Sequence, residues 1–214
     1  MRRYFEVGGV IAAVVLIAFG ITAIILGANG LNEVSKGLKQ QHITGTPNMT
    51  PSVEASLVTK AGLNPATLEM PTCKVVGQAV TNGSKARCFA EYMRIDALMA
   101  TGGKTFSQLP RFATANGVGT ENEAEALKKE GKPVEYPTRY VWVMGTALST
   151  ALDASDIAEQ TATFGIVVGI ALLLAGIGFG VLAIGGALRN RETALPHRRT
   201  VDMSGGGASP APAT

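Results

Sequence analysis

Two histidines, His42 and His197, are the only imidazoles in the 214-residue chain. Zinc and non-haem iron sites take two or three imidazoles, with or without a carboxylate, on one side of the metal. The membrane topology argued below puts these two on opposite sides of a bilayer, so they cannot share a site within one chain. The two cysteines, Cys73 and Cys88, are too far apart for a C-x-x-C redox pair. In an oxidising compartment they are expected to form a structural disulfide, and in a reducing one to stay free thiols. Closing a loop of this size is worth about 3 kcal/mol in the chain-entropy picture. Thr101-Gly-Gly-Lys-Thr105 is a fragment of a phosphate-binding loop, but the glycine five positions earlier is replaced by Leu98. The fragment also closes an expected helix, where a phosphate loop would open one. Arg87, Arg94 and Arg111 are the residues from which an anion site would be built. Solvated or salt-bridged arginines are the plainer reading. No catalytic residue, cofactor site or metal ligand emerges from these residues, and the chain is not expected to be an enzyme.

The elements that would position any chemistry are dominated by two apolar stretches. Val7–Ala28 and Phe164–Leu188 carry no charged residue, and each is long enough to cross a bilayer. A signal peptide would have a shorter apolar run ending in a small-x-small cleavage site, so Val7–Ala28 is expected as a retained anchor. The basic excess flanks the spans. Residues 1–6 hold Arg2 and Arg3 against Glu6, and residues 189–214 hold four arginines against Glu192 and Asp202. The region from Asn29 to Gln160 balances 13 basic against 13 acidic residues. This is the charge pattern of a positive-inside membrane protein with both termini cytoplasmic. A nucleic-acid binder would need a clustered basic surface on its folded domain.

Small residues run in stripes along both spans. Gly9, Ala12, Leu16, Gly20, Ala23, Gly27, Leu31, Val34 and Leu38 follow steps of three, four and four. That is an 11-residue repeat, which implies little or slightly right-handed supercoiling. In the second stretch Ala147, Ala151, Ala154, Ala158, Ala162, Gly165, Gly169, Gly176, Gly180, Ala183 and Ala187 draw a similar line. Gly165/Gly169 and Gly176/Gly180 are G-x-x-x-G pairs, which let helix backbones approach closely in lipid. The stripes ignore the membrane boundary. The first helix is therefore expected to continue to about residue 42 and the second to begin near Pro137. Packing of the two faces against each other gives an antiparallel pair, and a homodimer through the same faces is the alternative.

Between the spans, residues 29–163 are expected to fold as a small, mostly helical extracytoplasmic domain. Thr50-Pro51 reads as N-cap and first residue of a helix to Ala61, stopped by Gly62. Lys74–Val80 is expected as a short strand and Asn82-Gly83 as a turn. Lys85–Thr101 has a broad apolar face, and Gly102-Gly103 stops it. Thr120-x-x-Glu123 matches a capping box and predicts a helix to about Glu130, with Glu125 and Lys129 paired one turn apart. Val141, Leu148 and Leu152 are expected to face the domain's core. Residues 204–214, rich in Gly, Ser, Ala and Pro, cannot bury a core.

The segments Asn48-Met-Thr-Pro51, Arg87-Cys-Phe-Ala-Glu-Tyr-Met-Arg-Ile95, Ala100-Thr-Gly-Gly103, Leu109-Pro-Arg-Phe-Ala-Thr114 and Phe164-Gly-Ile-Val-Val-Gly-Ile-Ala171 carry a resemblance. Over most of its length, apart from the last 25 or so residues, the chain resembles a family of two-span actinobacterial membrane proteins. Members often carry the label aromatic ring-opening dioxygenase LigA. The resemblance implies the two-span architecture and an actinobacterial source. The label implies iron held by histidines and a carboxylate, and no residue here maps to such a site. The fold expected is an all-α membrane protein: two long antiparallel helices, cytoplasmic ends, and the small domain between them. The function expected is that of a plasma-membrane accessory or scaffold protein in a larger complex. A binding module with a ligand pocket among the domain's helices, bearing Arg94 or Arg111, is the second reading. The label's dioxygenase is the third.

Overall fold

The computed structural model describes residues 2–184. The tail expected to be cytoplasmic, 189–214, and the last residues of the second apolar stretch, 185–188, lie outside the described residues. Two long helices form the frame. α1, Arg2–Gln40, has 39 residues, and α4, Pro137–Ile184, has 48. At 1.5 Å per residue they measure about 58 and 72 Å. Both are long and apolar enough to cross a membrane. They run antiparallel, with Ala13 beside Gly176, Gly20 beside Gly169 and Gly27 beside Ala162.

Two shorter helices pack on this frame. α2 spans Pro51–Lys60, with Pro51 at its first turn. The Thr50 hydroxyl accepts from Val53 N at 3.4 Å. Gly62 follows at φ +78°, a left-handed conformation that suits glycine. α3 spans Gly83–Ala100, and the Asn82 carboxamide accepts from Lys85 N at 3.0 Å. Asn82-Gly83 is thus the cap and first residue of a helix, where a turn was expected. α3 ends at Gly102 and Gly103, both at positive φ. The core lies where the upper part of α1 meets α3 and α4. Leu38, Val75, Val80, Phe89, Tyr92 and Leu152 are its main residues. Cys73 and Cys88 are joined there by a disulfide, Cα to Cα 5.9 Å, which ties the segment before α3 to its second turn.

Three local expectations are corrected. Lys74–Val80 makes no ladder strand. Only single bridges join Thr44 to Ala79 and Gly45 to Val76. Thr120–Glu130 is not a helix. A 3-10 turn at Glu123–Glu125, capped by Asn122, leads into a hairpin of β1, Lys128–Lys129, and β2, Lys132–Pro133. The turn residues Glu130 and Gly131 both take positive φ, +51° and +77°, as the tightest hairpins require. Phe112 bridges both Thr120 and Glu135, so the backbone of Thr120 is engaged in β pairing. Glu125 does not face Lys129 along a helix. Its carboxylate accepts from the Thr120 hydroxyl at 3.1 Å and the Asn122 amide at 3.0 Å. The capping box sits instead at Thr105 and Gln108, on a 3-10 turn.

The third correction concerns the stripes outside the apolar stretch. Leu152 is buried, but Val141 and Leu148 are exposed. Ala147, Ala151, Ala154 and Ala158 are exposed too. The line that α4 buries there is Gly145, Ser149, Leu152 and Asp156. α3 as well as α1 packs on this half of α4, and contact with α3 turns a different face inward.

Candidate functional site

Within the apolar stretches the helix pair is held at backbone contact by four glycines. A Cβ on Gly20 would lie 2.7 Å from Gly169 O, and one on Gly169 equally close to Gly20 O. A Cβ on Gly27 would lie 2.6 Å from Ala162 O, and one on Gly176 3.0 Å from Ala13 O. The other expected packing residues contribute less. Gly9, Ala23, Gly165 and Gly180 are half-buried. Added Cβ atoms on Gly165 and Gly180 would meet only ordinary contacts, at 3.9 and 3.7 Å. Each G-x-x-x-G pair therefore supplies one glycine to the close approach. Ala12 is exposed, and its neighbour Ala13 takes the place in the interface. The contacts fall on Ala13, Gly20 and Gly27 against Ala162, Gly169 and Gly176, with Ala183 buried one step further. Both series advance by seven. A heptad is the repeat of a left-handed coil, not the 11-residue repeat expected.

Above this pair, α3 is seated on α4 at a close joint at Gly83, and it meets α4 again where a Cβ on Gly145 would lie 2.9 Å from the Ala97 Cβ. A Cβ on Gly83 would lie 2.6 Å from the Asp156 Cα, so only glycine allows the approach. The Glu159 carboxylate accepts a short hydrogen bond from Gly83 N. Placing an acid on the unpaired amides that begin a helix is favourable. Asp156 is nearly buried, accepts from Gln160 Nε2 at 2.7 Å and lies 3.8 Å from Arg87 Nη1. The arginines do not converge. Arg87 lies between Asp156 and Glu91, and Arg94 pairs with Glu69 at 2.9 Å. Arg111 stacks over Phe112. Arg87 and Arg94 do line one cleft, but Glu69, Glu91 and Asp153 line it with them.

The residues that sequence reasoning passed over are two acids at the α2–α3 contact. Glu54 is fully buried, and neither carboxylate oxygen has a hydrogen-bond partner. Burial, then the charge of Asp96, push its pKa from 4.5 up to about 7. Burial also raises the Asp96 carboxyl. The phenol of Tyr92, on the same helix as Asp96, is raised by burial and then by Glu54 and Glu91. Its hydroxyl donates to Cys73 O at 2.7 Å. The signal for Glu54 was present: it lies one turn before the buried Val58, on the same helix face. Asp96 also borders an apolar cleft of about 620 Å³ between α3 and α4.

His42 stands at the exposed end of α1 at φ +51°. His197 is outside the described residues. Among the described residues, no three His, Cys, Asp or Glu side chains gather to hold a metal ion. Compared with protein-family models, curated proteins and solved structures, the chain matches none.

Proposed function

We infer that the chain is a two-span membrane protein with cytoplasmic ends, presenting a disulfide-clipped helical domain outside the membrane as an accessory or scaffold unit of a larger membrane complex. The observation that carries this reading is the outer surface of the helix pair. Val10, Val14, Phe19, Ile25, Phe164, Val167, Leu174 and Val181 all point away from the partner helix and are exposed. Water would not tolerate a belt of this extent, and lipid would. The same helices continue without a break into the domain, which joins the domain rigidly to the spans. The flanking arginines support the orientation. The resemblance to two-span actinobacterial membrane proteins agrees with it. The chemistry of the domain, with no paired imidazoles and with Arg87 and Arg94 engaged by acids, favours a supporting role over catalysis.

Cysteine labelling tests the topology. In intact cells, Asn116→Cys in the distal loop is expected to react with an impermeant thiol reagent, and Arg3→Cys to resist it until the membrane is opened. The reverse pattern would overturn the orientation. Extraction in mild detergent followed by identification of co-purifying membrane proteins tests the scaffold role. Isolation of the chain alone, at native expression, would count against it.

A further inference from the structure

We propose that the cleft between α3 and α4 is a binding site for a small cationic amphiphile, an ammonium group on an apolar body, with Asp96 as its counter-ion. Met93, Ala97, Tyr140, Met144 and Leu148 supply apolar walls, and Asp96 is the sole charged residue of the lining. At about 620 Å³ the cleft falls in the usual range for small-molecule sites. Two methionines in the walls give them the adaptability to fit differently shaped apolar groups.

Charge selects the occupant. The three ion pairs among the described residues leave Asp96 out, and they leave out Glu54 behind it. Glu54 is wholly buried without a hydrogen-bond donor. Asp96, the one acid of the lining and without a basic partner in these pairs, makes the polar edge of the cleft electronegative. A buried or half-buried carboxylate is costly until a cation or donor reaches it. An anionic ligand would add repulsion, and a purely apolar one would cover Asp96 without satisfying it. An ammonium with an apolar tail meets both demands. The site lies about 28 Å along α4 from Phe164, given 1.5 Å per residue from Gly145, so its occupant comes from the aqueous side. This assignment is independent of which way the chain crosses the membrane.

The test uses the full chain in phosphatidylcholine nanodiscs at pH 7.5. Three probes of matched shape are titrated: 4-phenylbutylamine, 4-phenylbutan-1-ol and 4-phenylbutyrate. The sole tryptophan, Trp142, lies next to cleft-lining Val141 and serves as the fluorescent reporter. Empty discs correct for partition into lipid. The amine is expected to bind saturably and at least about tenfold more tightly than the alcohol, with the acid weakest. Asp96→Asn should remove the preference for the amine and leave the alcohol's affinity unchanged. Ala147→Phe, which fills the cleft from an exposed position, should abolish saturable binding of both. Equal affinity for amine and alcohol, an amine preference that survives Asp96→Asn, or no saturable signal above empty discs would each overturn the proposal. So would disulfide cross-linking of two copies through Met144→Cys in the same discs, because the cleft would then be covered by a second chain.

Discussion

Glu54 is where the chain departs furthest from ordinary helix chemistry. It occupies a core position on α2, with Asp96 and Tyr92 of α3 as the titratable groups that shift it or are shifted by it. Its folded-state pKa, about 7, lies above the ordinary 4.5. Below pH 4.5 the acid is neutral in both folded and unfolded chains, and burial carries no charge penalty. As pH rises to about 7 the unfolded chain ionises and the folded one resists, so stability falls. The loss is at most about 3 kcal/mol, from 1.36 kcal/mol per pKa unit. The domain's melting temperature is therefore expected to drop between pH 5 and pH 8. Glu54→Gln should flatten that slope. An unchanged slope in the variant would show that another group governs it. A glutamate among apolar neighbours reads from sequence as a solvated residue, because burial of an unpaired acid is rare. Periodicity with Val58 was the only sign against that. The cysteine pair was easier to foresee, since a chain with two cysteines has one internal pairing open to it.

At the scale of the element, the two long apolar helices and α2 were legible because uncharged length and Thr-Pro capping are strong signals. The phase of the small-residue stripe was not. Ala12 and Ala13 are adjacent, and Gly20 and Gly27 satisfy both a seven- and an 11-residue repeat. Contact with α4 selects the heptad. The hairpin at Lys128–Pro133 was missed for a related reason. Thr120-x-x-Glu123 is a local helix signal, and it lost to Glu130-Gly131 turn geometry and to pairing with Phe112. The glycine contacts make a graded prediction. Gly20→Ile or Gly169→Ile places side-chain carbons inside a neighbouring backbone and should lower the detergent melting temperature strongly, with a cost of about 2 kcal/mol or more. Gly165→Ala and Gly180→Ala meet only normal contacts and should change stability by less than about 0.5 kcal/mol. Insertion into the membrane should be unaffected in all four. Equal effects across the set would mean that the helices are not apposed through this face.

Across the whole molecule, α4 runs without interruption from the distal hairpin to the apolar stretch. Arg139 fastens the hairpin end, donating to Leu109 O at 3.1 Å and stacking on Phe106. Gly83, Asp156 and Glu159 fasten the middle, and the glycine heptads fasten the rest. Such a helix acts as a ruler as well as a strut. Each added residue would raise the distal end by 1.5 Å and rotate it by about 100°, so height and heading cannot be changed separately. One alanine inserted after Gln160, between the α3 joint and the first glycine contact, should misalign the two fastenings and destabilise the domain. Seven residues inserted there, with seven inserted into α1 after Gly30, restore the heading and lift the domain by about 10 Å. The paired insertion is expected to keep the melting temperature close to that of the unaltered chain, and the single alanine to lower it. Indifference to both would show that the domain is tethered rather than geared to its spans. If gearing holds, the domain's distance from the membrane is quantised, and related chains of different reach should differ by whole heptads in both helices at once.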